Sequence, residues 1–225
     1  MSEKVFAVAI DGPAGAGKST IAKSLSKKLG VIYVDTGAMY RAMALYLIRE
    51  GVSASDSAAI SSKCNTADIS IRFENGEQQV VLNGENVNGF IRTEEVGNMA
   101  SSSSPNPDVR KKLVELQRKL ASEKSVVMDG RDIGTVILPN APLKVFLTAS
   151  VSVRAKRRFL ELTEKGEECD IKKIEADIRE RDERDMTRET APLKQAEDAI
   201  LLDSSDMSID EVVSRLLELC GERGL

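Results

Sequence analysis

Residues Gly12-Pro13-Ala14-Gly15-Ala16-Gly17-Lys18-Ser19-Thr20 have the spacing G-x-x-x-x-G-K-[ST] of a phosphate-binding P-loop. Glycines at 12, 15 and 17 let the backbone curl, so that successive N–H groups can converge on phosphate oxygens. In such a loop Lys18 reaches the β- and γ-phosphates, and the Ser19 hydroxyl ligates Mg²⁺. Asp129 ends the apolar run Val126-Val127-Met128, the position of a carboxylate that holds Mg²⁺ indirectly. Arg131 and Asp132 follow it, so one strand tip carries three ionisable groups. Arg41, Arg181 and Arg188 add guanidinium forks, which suit a second phosphate group. The chemistry implied is phosphoryl transfer to an acceptor that is itself a phosphate ester. Histidine is absent, which excludes Ser-His-Asp and Cys-His catalysis and His-ligated metals. A phosphate monoester does not need that help. Its second pKa lies near about 6, so its oxygen is already an anion at neutral pH.

The elements that must position these residues read as α/β. Val5–Ile10 is continuously apolar, as a parallel strand buried on both faces should be, and it leads straight into the P-loop. Ile21, Leu25 and Leu29 mark one face of the helix that follows, closed by Gly30. A second strand at Val31–Val34 runs into a helix over about 38–50, with Tyr40 and Arg41 in its first turn. Residues 69–73 alternate strictly, and 79–83 return as a second strand after Asn75-Gly76, a hairpin signal inside an otherwise parallel chain. Residues 67–105 therefore read as an inserted small antiparallel β subdomain. Ser101–Ser104 with Pro105 read as a loop or linker, and Asn106-Pro107 as the N-cap and first residue of a helix carrying Arg110. Strands at 143–147 and 200–203 complete five, and Ser208-x-x-Glu211 is a capping box for the last helix.

Two charged helices lie between those last strands. Arg154, Arg157 and Arg158 share a face at i, i+3, i+4, either solvated or laid as a lid over nucleotide phosphates. Arg181, Asp185 and Arg188 fall on one stripe at i, i+4, i+7 of the second helix. A net charge of −4 argues against a protein that coats nucleic acid, and no segment has transmembrane length. Three scattered cysteines read as free thiols of a cytoplasmic protein. On spacing alone, several acceptors (CMP, UMP, AMP) and a nucleotide-binding switch with slow ATP hydrolysis all stay open.

Longer stretches narrow this. Ile10-Asp11-Gly12-Pro13 with the P-loop, Asp35-Thr36-Gly37-Ala38-Met39-Tyr40-Arg41, Ile91-Arg92-Thr93-Glu94-Glu95-Val96, Asp129–Thr135, Arg181-Asp182 through Arg188, and Ala191-Pro192-Leu193 together resemble the bacterial cytidylate kinases over essentially the whole chain. The resemblance implies a P-loop nucleoside monophosphate kinase fold, with a five-stranded parallel sheet flanked by helices. It places a kinase core at 1–66 and 106–225, a helical lid at about 150–188, and a CMP-binding insert at 67–105. It implies ATP-dependent, Mg²⁺-assisted phosphorylation of CMP and dCMP by a cytoplasmic monomer. Residue by residue, it implies that Arg41, Arg131 and Arg188 grip the CMP phosphate with Thr36 beside them, and that Ser101, Arg110 and Asp132 read cytosine. Arg181 and Asp185 would hold the sugar, and Arg157 and Arg158 would belong to the lid over ATP.

Overall fold

The computed structural model describes residues 5–74 and 77–225. In chain order the elements are β1 (Ala7–Asp11), α1 (Lys18–Leu29), β2 (Ile32–Asp35), α2 (Thr36–Arg49), α3 (Ser57–Cys64), β3 (Ile69–Glu74), β4 (Glu77–Leu82) and β5 (Glu85–Asn86). They continue with α4 (Glu94–Ser103), α5 (Pro107–Glu123), β6 (Val126–Gly130), a π-helical turn (Ile133–Ile137), β7 (Leu143–Thr148), α6 (Val151–Glu164), α7 (Ile171–Thr187), β8 (Ile200–Asp203) and α8 (Ile209–Glu222). The five-stranded parallel sheet has the order β2-β6-β1-β7-β8, and a separate antiparallel sheet has the order β3-β4-β5. The chain forms two compact units, one from Ile32–Ser125 and one from Phe6–Val31 with Val126–Leu225.

In the second unit β1 is central, pairing in parallel with β6 (Ala7↔Val126 to Asp11↔Gly130) and with β7 (Val8↔Leu143 to Asp11↔Phe146). Every residue of β1 and β6 is buried, which is why both read as unbroken apolar runs up to the carboxylates Asp11 and Asp129. The strand starts at Ala7 and not at Val5, whose side chain is exposed. Ile21, Ala22 and Leu25 of α1 and Val212, Val213 and Leu216 of α8 supply the helical side of this core. The expected capping box opens α8, with Ser208 and Glu211 bonding reciprocally.

The first unit packs α2, α3, α4 and α5 with the small sheet. β3 and β4 pair from Ile69↔Leu82 to Glu74↔Glu77, so the alternation in the sequence does become a hairpin. The Asn75-Gly76 turn expected between them lies outside the described residues. The serine run is not a linker, because α4 continues through Ser103. Thr93 caps its first turn, Ser103 Oγ donates to the Met99 carbonyl, and Ser104 Oγ donates to the Ser101 carbonyl. Serine hydroxyls here bond back onto the helix instead of competing with it. Among the described residues no helix is long and apolar enough to cross a membrane.

Candidate active site

In the second unit the P-loop leaves β1 at Gly12. That residue has φ +149°, and a Cβ there would sit 2.0 Å from the Leu147 carbonyl oxygen of β7. Only glycine fits. Gly12→Ala is expected to destabilise the protein by about 2–5 kcal/mol through backbone strain and overpacking. A urea midpoint unchanged from the parent would contradict this packing. Gly17, left-handed at φ 84°, starts α1 without any side-chain cap, and the first turn of that helix has no acidic residue. The first N–H groups of α1 therefore keep their capacity for an anion.

Lys18 is buried beside this cradle and donates from Nζ to the Pro13 carbonyl at 2.7 Å. Burial first, and the Arg131 guanidinium second, push its ammonium down to about 7 against the pull of Asp129 and Asp11. Ser19 Oγ donates to Asp129 Oδ2 at 2.9 Å. A hydroxyl and a carboxylate held together in this way are the hard oxygen ligands that Mg²⁺ takes when a nucleotide supplies the rest. The residues present fit the ion.

The acceptor-side candidates of this unit gather at the end of β6. Arg131 Nε donates to Asp185 Oδ2 of α7 at 2.8 Å, and Arg188 lies 4.0 Å from Asp132. Asp132, Asp185 and Arg188 are all nearly buried on their side chains. Burial raises the Asp185 carboxyl, but Arg131, Arg181 and Arg188 outweigh it and hold the group below its usual range. The loop beyond α7 folds back to complete the corner: Leu193 N–H donates to the Asp185 carbonyl, and Arg188 Nε donates to the Ala191 carbonyl. Arg131, Asp132, Asp185 and Arg188 are thus brought together. Arg181 joins them electrostatically, acting on both Asp185 and Lys18.

Arg157 and Arg158 have different partners. Arg157 donates to Ser204 (Nη2 to the carbonyl at 2.6 Å), whereas Arg158 is exposed and pairs with Glu161. In the first unit, Thr36 is buried at the start of α2, one residue after the Asp35 cap. Arg41 Nη1 donates to the Ile91 carbonyl at 3.2 Å, and its guanidinium lies against Gly97. Arg110 is buried on α5, and Ser101 lies in the last turn of α4.

Asp11 was missed as a positioning residue. Its carboxylate accepts the backbone N–H groups of Ile133 and Gly134 at 2.8 and 2.7 Å, tying the end of β1 to the turn that carries Arg131 and Asp132. Burial pushes this carboxyl up to about 6 even though those two bonds oppose the shift. The signal available in the sequence was a carboxylate ending an apolar strand.

A family model described as "Cytidylate kinase" matches residues 8–222. The chain belongs to the cytidylate kinase family. Curated relatives named cytidylate kinase include those of Caldicellulosiruptor bescii, 52% identical over 96% of this chain and 96% of the relative, and of Lactobacillus johnsonii, 51% identical over 94% and 92%. A solved shikimate kinase from Acinetobacter baumannii, in complex with shikimate, superposes at a TM-score of 0.51 with 14% identity, covering 99% of this chain and 97% of that one. At that identity the likeness speaks to fold alone, and the fold is that of the P-loop nucleoside monophosphate kinases. Family membership makes the chain a nucleotide kinase.

Proposed function

We propose that this chain catalyses transfer of the γ-phosphoryl group of ATP to CMP and dCMP, giving CDP and dCDP. The observation that carries the reading is the family match across residues 8–222, on a chain whose P-loop lysine and serine stand beside a strand-end carboxylate. In this reading the loop amides from Gly12 to Thr20 and the N-terminus of α1 hold the ATP phosphates. Ser19 directly and Asp129 indirectly would hold Mg²⁺, which when bound neutralises charge on the β- and γ-phosphates.

An oxygen of the CMP phosphate attacks the γ-phosphorus. The bond from that phosphorus to the β–γ bridging oxygen breaks, and ADP leaves with the electron pair. The acceptor is already an anion, so no side chain has to remove its proton. Arg131 and Arg188, with Arg41 and Thr36, orient the CMP phosphate, and Lys18 stabilises charge on the transferring group. Asp132, Ser101 and Arg110 read cytosine; Arg181 and Asp185 hold the sugar. Helices α6 and α7, with Arg157 and Arg158, act as the lid at about 150–188 that keeps water from the γ-phosphate. Residues 67–105 serve the acceptor, and the chain works as a cytoplasmic monomer.

One consequence concerns protons. In the free protein burial and the Arg131 guanidinium push the Lys18 ammonium down to about 7. Phosphate oxygens beside it favour the ammonium form, so its pKa rises on binding. At pH 8 ATP binding is therefore expected to take up close to one proton, and above about pH 7 affinity should fall as pH rises, by up to about tenfold per unit. Calorimetry in two buffers of different ionisation enthalpy reads this directly. No uptake at pH 8 would contradict the placement of Lys18.

The activity itself is tested by coupled ADP release with ATP and a panel of monophosphates. CMP and dCMP should give the highest kcat/KM. Preference for AMP or UMP would move the acceptor assignment, and acceptor-independent ADP release would indicate a slow ATPase switch.

A further inference from the structure

Arg154 is 3% exposed, yet its guanidinium reaches three separate pieces of the second unit. Nε donates to the Ala149 carbonyl at 2.9 Å, Nη1 to the Ala14 carbonyl of the P-loop at 2.8 Å, and Nη2 to Asp182 Oδ2 of α7 at 2.6 Å. Its stem also backs the loop, since a Cβ on Gly15 would meet Arg154 Cβ at 3.4 Å. Asp182 is buried too, and its second oxygen, Oδ1, has no hydrogen-bond partner among the described residues.

A buried ion pair is a poor device for stability, because well-packed apolar side chains of similar volume often do as well or better. An apolar pair could not, however, bond the Ala14 carbonyl and a helix at the same time. Asp182 and Asp185 are three residues apart on α7, so they lie on one side of it. The first is held by Arg154, which grips the phosphate cradle. The second is held by Arg131, at the end of β6. Helix α7 is thus docked by two ion pairs, one on the donor side and one on the acceptor side.

We propose that Arg154 and Asp182 are positioning residues for the reaction: they lock α7, and with it Arg181, Asp185 and Arg188, into register with the P-loop. The proposal rests on the reading above that those three side chains serve the acceptor.

Asp182→Asn keeps the shape and removes the charge. It is expected to lower kcat about tenfold and raise KM for CMP severalfold, with KM for ATP within twofold of the parent. Asp182→Glu, which keeps the carboxylate, should recover kcat to within about threefold. Arg154→Lys combined with Asp182→Asn should be no slower than the slower single variant. A folded Asp182→Asn protein with kcat and KM for CMP both within twofold of the parent would overturn the proposal, even with a lower urea midpoint. Additive losses in the double variant would also overturn it. Arg188→Ala separates the two levels. If it leaves KM for CMP unmoved, the acceptor assignment fails. If it raises KM while Asp182→Asn does nothing, only the lock fails.

Discussion

Lys18→Met should lower kcat by about two to three orders of magnitude while leaving the protein folded, the size expected for loss of one preorganised charge from a transition state. Methionine keeps the apolar stem and removes the ammonium. In the unliganded protein that ammonium donates to the Pro13 backbone carbonyl, and burial and Arg131 work against its charge. Removing it should therefore leave the urea midpoint unchanged or raised, because an ionisable group held off its natural pKa by burial costs stability. The combination is diagnostic. A structural lysine would lower the midpoint and spare kcat in the folded fraction; a catalytic one does the reverse. A kcat within threefold of the parent would remove Lys18 from the mechanism.

Asp132→Ala should act on one substrate only. The side chain is 4% exposed, faces Arg188 across 4.0 Å, and begins the turn whose next two N–H groups are held by Asp11. With Asp132 truncated, the cytosine donor it is proposed to accept from is left without a partner in a desolvated site. Such a group costs about 1–3 kcal/mol, or roughly five- to 150-fold in kcat/KM for CMP. KM for ATP should stay within twofold, because the cradle amides and the Ser19–Asp129 pair are untouched. Equal losses for both substrates would mean that the turn had collapsed and that Asp132 has no reading role.

The parts of the site that were legible in the sequence are those fixed by local rules. Strands that end in a charge, a glycine turn and a lysine-serine pair are all set within a few residues, and Ser19 and Asp129 do meet. Helical spacing also put Arg181, Asp185 and Arg188 on one stripe; Asp185 is buried there, but α7 ends at Thr187 and Arg188 follows it in extended backbone. Spacing does not say which face is inside, and that is where the reading fell short. Arg154, Arg157 and Arg158 share an i, i+3, i+4 face, yet the first is buried on Asp182, the second bonds Ser204, and the third is in solvent. Arg154 and Asp182 are 28 positions apart on different helices, beyond any local rule. Asp11 was legible as part of a motif, but the N–H groups it holds are 122 and 123 positions away. The serine run misled for a different reason. Composition suggested a linker, while the Thr93 cap and two side-chain bonds to backbone carbonyls make it helix.

The most direct test follows phosphorus itself. In ³¹P spectra of the protein with ATP, Mg²⁺ and CMP, the γ-phosphate signal of ATP and the CMP signal should decline together, while CDP and ADP doublets grow in equal amounts with little inorganic phosphate. Growth of inorganic phosphate without CDP would contradict the account, because water and not the CMP oxygen would then be the group that the site presents to the γ-phosphorus.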